Sequence, residues 1–194
     1  MAGRTDTGVH ALANVASVEV DGGPPPGRAA EALNAELPSD VAVSSAEGVP
    51  PDFHARRSAV SRAYRYRVYR RREPSPFEAR RSWWYPRPLH EEALSESADL
   101  LVGEHDFRAF TPAQTHHKVF VRNVRKVAWH RRGDALELEI EADSFLRHMV
   151  RALVGTMIER RPAELERLLT GGHGREDAGS TAPPWGLYLE RVQY

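Results

Sequence analysis

The chain of 194 residues carries 27 basic and 27 acidic side chains, so it has no formal net charge, and its length suffices for one or two domains with a buried core. No apolar run approaches the ~18 residues of a membrane-spanning helix, and the first residues lack the charged-then-apolar pattern of a signal peptide, so the expected setting is the cytoplasm with no membrane partner. The absence of cysteine excludes disulfides and thiolate metal sites, which suits a reducing compartment.

The first stretch, Ala2-Gly3-Arg4-Thr5-Asp6-Thr7-Gly8-Val9-His10-Ala11, sets one carboxylate between an arginine and two glycines. Such glycines let the backbone turn sharply and let a bulky ligand approach Asp6. Ala13 to Val20 then reads as a strand, closed by the turn cluster Asp21-Gly22-Gly23-Pro24-Pro25-Pro26. Pro26 sits just ahead of a short amphipathic helix with Ala29, Ala30, Leu33 and Leu37 as its apolar positions, stopped by Pro38. Val41 to Ser45 is a further short strand, and Gly48-Val49-Pro50-Pro51 is a linker between two halves, residues 1–58 and 59–194.

Ser58 to Tyr69 is strand-like, with Tyr64, Tyr66 and Val68 on one face and Arg65 and Arg67 on the other. Glu91 to Val102 reads as a helix with an acidic, solvated face. Val119 to Trp129 and Leu136 to Ala142 form a hairpin across Arg131-Arg132-Gly133-Asp134, with Leu136, Leu138 and Ile140 inward and glutamates outward. Phe145 to Glu159 is the strongest helix, with Phe145, Met149 and Leu153 along one row and Leu146, Val150, Val154 and Met157 along the next. Ala163 to Leu169 is a second helix, a loop begins at Gly171, and Leu187 to Val192 is a closing strand. The fold class expected is α+β, a mainly antiparallel sheet with flanking helices.

Zero net charge conceals an uneven distribution. Between Arg56 and Arg81 stand ten arginines against two acids, Glu73 and Glu78, an excess of eight positive charges. The acids gather elsewhere, from Glu91 to Asp106 and from Glu137 to Asp143. Such asymmetry marks one phosphate-facing side. All but two of the basic residues are arginine, a bias that composition can explain; composition does not explain their clustering.

Four residues could carry chemistry. Asp6 is an isolated carboxylate that Arg4 can pair with and keep in the anionic form a nucleophile requires. Tyr64, in Ser61-Arg62-Ala63-Tyr64-Arg65-Tyr66, suits a surface where a base stacks while phosphates pair nearby. Arg151 shares one side of its helix with Arg147 and His148, four and three residues earlier. Each has an ordinary structural alternative: a surface turn, a core tyrosine, a solvated helix stripe. The nine histidines offer no ligand spacing beyond adjacent His116 and His117, which a strand would point to opposite faces, so no metal is expected.

Three separated motifs resemble one family in that family's order. Gly3-Arg4-Thr5-Asp6-Thr7-Gly8-Val9-His10-Ala11 resembles the catalytic signature of the TruA family of tRNA pseudouridine synthases, Gly-Arg-Thr-Asp-x-Gly-Val-His-Ala. Phe145-Leu146-Arg147-His148-Met149-Val150-Arg151 resembles its Phe-x-x-x-Met-Val-Arg motif, and Trp185-Gly186-Leu187-Tyr188-Leu189 its Gly-Leu-x-Leu strand. Tyr64 matches the tyrosine that the family places in its active site. Asp52-Phe53-His54-Ala55-Arg56-Arg57 is similar to one RNA-contacting segment of the family, and Gln114-Thr115-His116-His117-Lys118, more loosely, to another.

The resemblance implies a pseudouridine synthase fold of two related halves and an isomerase that converts uridine to pseudouridine in the tRNA anticodon stem-loop, at positions 38, 39 and 40. Asp6 would act on the ribose as nucleophile or as the base of a glycal route, and Arg151 would pair with it. Arg4 would fill the gap left by a flipped base, and Tyr64 would stack on the uracil. Phe53, His54, Arg56, Arg57, His116, His117 and Lys118 would contact RNA. The family works as a homodimer and uses no metal, ATP or other cofactor, consistent with the absence of a Gly-rich phosphate loop here. In the family a strand and a helix precede the catalytic loop, and Met1 stands in their place. The resemblance therefore implies a shortened N-terminal half and leaves a second reading, a catalytically impaired RNA-binding fragment of such a synthase.

Overall fold

A computed structural model describes all of residues 1–194. It contains strands β1 (His10–Ala11), β2 (Ser61–Tyr69), β3 (Trp83–Trp84), β4 (Gly103–Asp106), β5 (Val121–Arg132), β6 (Ala135–Ala142) and β7 (Leu187–Gln193), and helices α1 (Pro26–Glu36), α2 (Glu91–Asp99), α3 (Met149–Glu159) and α4 (Pro162–Leu169). The strands form one sheet in the order β1-β7-β2-β6-β5-β4, with β3 pairing β2 beside that path. All pairings are antiparallel except the two short ones, β1 with β7 and β2 with β3. The fold is α+β, as expected.

Strand alternation decides which face the helices cover. Tyr66 and Val68 of β2, Leu136, Leu138 and Ile140 of β6 and Val124 and Val127 of β5 are buried in one core with Leu94 of α2, Met149 and Leu153 of α3 and Leu165 of α4. Burying a side chain of that size contributes about 1.5–3 kcal/mol, so this face dominates the stability of the sheet. The opposite face is charged rather than bare. Glu137 of β6, expected to point into solvent, is buried: it accepts from Arg67 at 2.6 Å and Arg65 at 3.2 Å. Arg67 also forks onto Glu78, and Arg65 reaches Glu190 at 2.5 Å.

Gly155 sets the fit of α3 against the loop before β7. A Cβ there would stand 1.8 Å from the carbonyl oxygen of Ser180, so only glycine allows this approach. The contact is tied by Thr156, whose hydroxyl accepts from Gly179 N–H at 3.0 Å and donates to Ala152 at 2.7 Å.

The structure departs from the sequence reading in five places. Ala13 to Val20 is no strand: Val18 and Val20 are each 77% exposed, and the segment is held by Ala2 N–H donating to Val15 at 2.7 Å and by the Asn14 side chain donating to Gly3 at 3.0 Å. Val41 to Ser45 is likewise held by side chain, Asn34 bonding both the N–H and the C=O of Val43. Residue preference for extended backbone makes a strand only where a neighbouring strand and a buried face exist. Helix α1 forms where expected but buries no residue. The long apolar helix starts at Met149 rather than Phe145, because His148 takes a left-handed backbone, φ 62°, that no α-helix continues through. Helix α2 ends at Asp99, and Gly103, at φ 106°, opens the unexpected β4.

Candidate active site

Asp6 stands on a loop anchored at both ends. On one side Ala2 is buried, and its carbonyl accepts from Arg62 Nη2 at 3.2 Å. On the other, β1 joins the sheet, and His10 stacks on Tyr188 with ring centroids 4.6 Å apart. Between them Val9 N–H closes a turn onto Asp6 C=O at 3.0 Å, and Gly8, at φ 86°, lies against Pro184. Turn chemistry thus lifts the Asp6 side chain toward the N-terminus of α3.

Arg151 meets it there. Its Nη1 donates to Asp6 Oδ2 at 3.0 Å, and the guanidinium is largely buried. His148 Nε2 lies 3.2 Å from the same oxygen. Asp6, Arg151 and His148 are therefore one cluster. His148 was noted in the sequence only as part of a helix stripe; its left-handed backbone is what turns the ring onto Asp6, and no periodic pattern carries that information. Burial, foremost, pushes the His148 imidazole below its ordinary range, with Asp6 opposing and Arg151, Arg147 and Arg175 adding to the shift.

Tyr64 completes the floor. It sits edge-on to Phe145 at 5.0 Å, and its hydroxyl lies 3.5 Å from where a Cβ on Gly3 would be, beside the Asp6 loop. Burial raises the phenol above its usual range; Arg62 opposes and Asp6 adds to it. A neutral phenol next to a carboxylate can stack on a planar ring and can give or take a hydrogen bond.

Arg4 is not part of this cluster. Its side chain is exposed and makes no ion pair, so Arg151 rather than Arg4 holds Asp6. The arginine-rich stretch also divides. Arg62 is buried and donates four hydrogen bonds, to the carbonyls of Ala2, Arg56, Ala59 and Asp143. Arg65 and Arg67 lie in the charged sheet face, and Arg70 donates to the carbonyls of Tyr85 and Arg87. Arg56 and Arg57 remain exposed, as do Arg72, Arg80 and Arg81.

The two segments expected to contact RNA are partly structural. Phe53 packs on Tyr194 at 4.9 Å, and His54 Nδ1 accepts from the backbone N–H groups of Arg56 and Arg57 at 3.1 and 3.2 Å. That cap turns the two arginine side chains outward. Burial, foremost, pushes the half-buried His117 imidazole below its ordinary range, and the charges of Arg122, Arg56 and His116 push it further. His116 and Lys118 are exposed. No group of acidic and histidine side chains could hold a metal ion, and no helix is long and apolar enough to cross a membrane.

A family model described as tRNA pseudouridine synthase matches residues 97–194. The chain is 42% identical over 197 residues to the tRNA pseudouridine synthase A of Moorella thermoacetica, covering 100% of this chain and 80% of that protein. It is 42% identical over 199 residues to the protein of the same name from Thermus thermophilus, of which it covers 79%. With that of Bartonella tribocorum the identity is 38% over 200 residues, covering 81% of the relative.

Proposed function

Since the chain belongs to the tRNA pseudouridine synthase A family, we propose that it isomerises uridine to pseudouridine in tRNA, acting in the anticodon stem-loop at positions 38, 39 and 40. The observation that carries this reading is the 3.0 Å pairing of Arg151 with Asp6 beside an aromatic floor.

The reaction breaks the N1–C1′ bond, turns the uracil and joins C5 to C1′; the proton on C5 leaves and N1 gains one, so no electrons are exchanged with a cofactor. A stem-loop base must first leave its stack, at a cost of a few kcal/mol. Binding through phosphates offsets that cost, with Arg56, Arg57, His116 and Lys118 on the side that faces the backbone. Tyr64 stacks on the extruded uracil, and its neutral hydroxyl can relay the C5 proton. Asp6 acts on the ribose, as nucleophile at C1′ or as the base of a glycal route, while Arg151 fixes its orientation. Arg4, exposed at the mouth of the site, is free to fill the gap left in the RNA stack.

The setting proposed is the cytoplasm, and the assembly a homodimer. An active monomer in sedimentation would overturn the latter. Release of tritium from tRNA labelled at uridine C5 tests the activity, and mapping of the product tests the positions. Release without modification in the anticodon arm would keep the chemistry and reject the site.

A further inference from the structure

Two groups stand against one oxygen of Asp6, and Arg151 hydrogen-bonds it. Arg151 Nη1 and His148 Nε2 lie 3.0 and 3.2 Å from Oδ2, whereas Oδ1 accepts no hydrogen bond from the protein. We infer that His148 is a positioning residue: its ring stands against Oδ2 and, together with the Arg151 hydrogen bond to that atom, presents Oδ1 as the reacting oxygen of Asp6. This rests on the reading of Asp6 as the carboxylate that acts on the substrate.

The backbone supports it. His148 is one of two non-glycine residues with positive φ; the other is Arg80. A left-handed conformation is unfavourable for a residue with a Cβ and persists where surrounding structure or function requires it. His148 occupies the N-cap of α3, yet its side chain makes no capping bond to the helix. The His148 carbonyl accepts the first bond of the helix, from Ala152 N–H at 2.9 Å, so the side chain is left free to turn its ring to Asp6.

The charges around the ring fix its protonation. Asp6 faces it from the catalytic loop and favours imidazolium. Arg147 beside it, Arg151 on α3 and Arg175 from the loop after α4 oppose that, and burial opposes it most. The ring is thus neutral near neutral pH, and in the tautomer with hydrogen on Nε2 it turns a polar edge rather than a charge to Oδ2. On acidification it becomes a cation against Asp6. A carboxylate bound tightly to a cation is a poorer nucleophile and a poorer base, so turnover should fall as His148 gains its proton.

Two variants of the full chain test this, with tritium release followed across about pH 5 to 8, the range over which histidine changes charge. His148→Gly keeps the left-handed backbone without strain and removes the ring; kcat should fall about tenfold with KM unchanged, as expected when the carboxylate loses one of the two groups that orient it. His148→Gln returns an N–H near the position of Nε2 that cannot titrate. It should restore most of kcat at neutral pH and move the acid limb of the profile to lower pH. Wild-type kcat in His148→Gly, a His148→Gln enzyme no better than His148→Gly, or an unmoved acid limb would each overturn the inference, provided Asp6→Ala is inactive. An active Asp6→Ala would overturn the functional reading instead. Thermal melting of both variants separates these effects from unfolding.

Discussion

Arg151 and Ala182 exchange two hydrogen bonds: Arg151 Nε donates to the Ala182 carbonyl at 2.7 Å, and Ala182 N–H donates back to the Arg151 carbonyl at 3.1 Å. This reciprocal clamp leaves only one end of the guanidinium free, and that end is the one on Asp6. Arginine is used here as a fork, with one arm for the scaffold and one for the carboxylate.

Arg151→Lys should therefore behave almost as badly as Arg151→Ala. Lysine brings a charge but cannot satisfy Ala182 and Asp6 together. A roughly 10- to 100-fold loss of kcat is expected for both, the range for a hydrogen bond to a charged group. Steady-state kinetics with a lysine variant near wild type would show that charge alone matters and that the clamp does not.

The same clamp depends on how closely residues 178–182 approach α3. Gly155→Ala would drive a methyl into Ser180, at 1.8 Å from its carbonyl oxygen. Overpacking of this kind costs about 1–3 kcal/mol, which should appear as a fall in Tm of several degrees. Gly27→Ala is the control: it lies in α1, and an added Cβ meets nothing within 4 Å. Helix propensity makes that change neutral or stabilising by up to about 1 kcal/mol. Equal Tm values for the two variants would contradict the packing account.

The divided arginine stretch makes a further distinction. Charge reversal at Arg56 or Arg57 should weaken tRNA binding and flatten its salt dependence by about one unit of slope per lost phosphate contact, with Tm unchanged. Reversal at Arg65 should instead lower Tm, because it places a third negative charge beside Glu137 and Glu190. Filter binding at several salt concentrations checks the first and calorimetry the second. An unchanged slope would mean that Arg56 and Arg57 do not touch the RNA backbone.

Legibility in the sequence followed periodicity and partners. The alternation of β2 and β6 and the apolar rows of α3 were readable because the core repeats at those periods, and the resulting face is where the helices pack. The pairing of Asp6 with Arg151 was implied by the resemblance of two distant motifs, whereas the residues alone offered the neighbouring Arg4, because sequence proximity does not report contacts across the fold. Ala13 to Val20 failed because its valines have the preference for a strand but no ladder to join. The pairing of Arg65 and Arg67 could not be read, since a cluster of like charges in sequence says nothing of the glutamates that meet it from β6, β7 and the Glu78 turn, nor of the four carbonyls that collect on Arg62. His148 was hidden for a related reason: a helical register places it beside Arg151, but only a residue outside the helix, at φ 62°, puts its ring on Asp6.

The central claim is that Asp6 carries the chemistry, and tritium release from tRNA labelled at uridine C5 tests it most directly. Asp6→Ala should abolish release while tRNA affinity stays within a few fold of wild type, because binding resides mainly in phosphate contacts remote from this carboxylate. Release by Asp6→Ala at a rate near that of the wild-type chain would contradict the account.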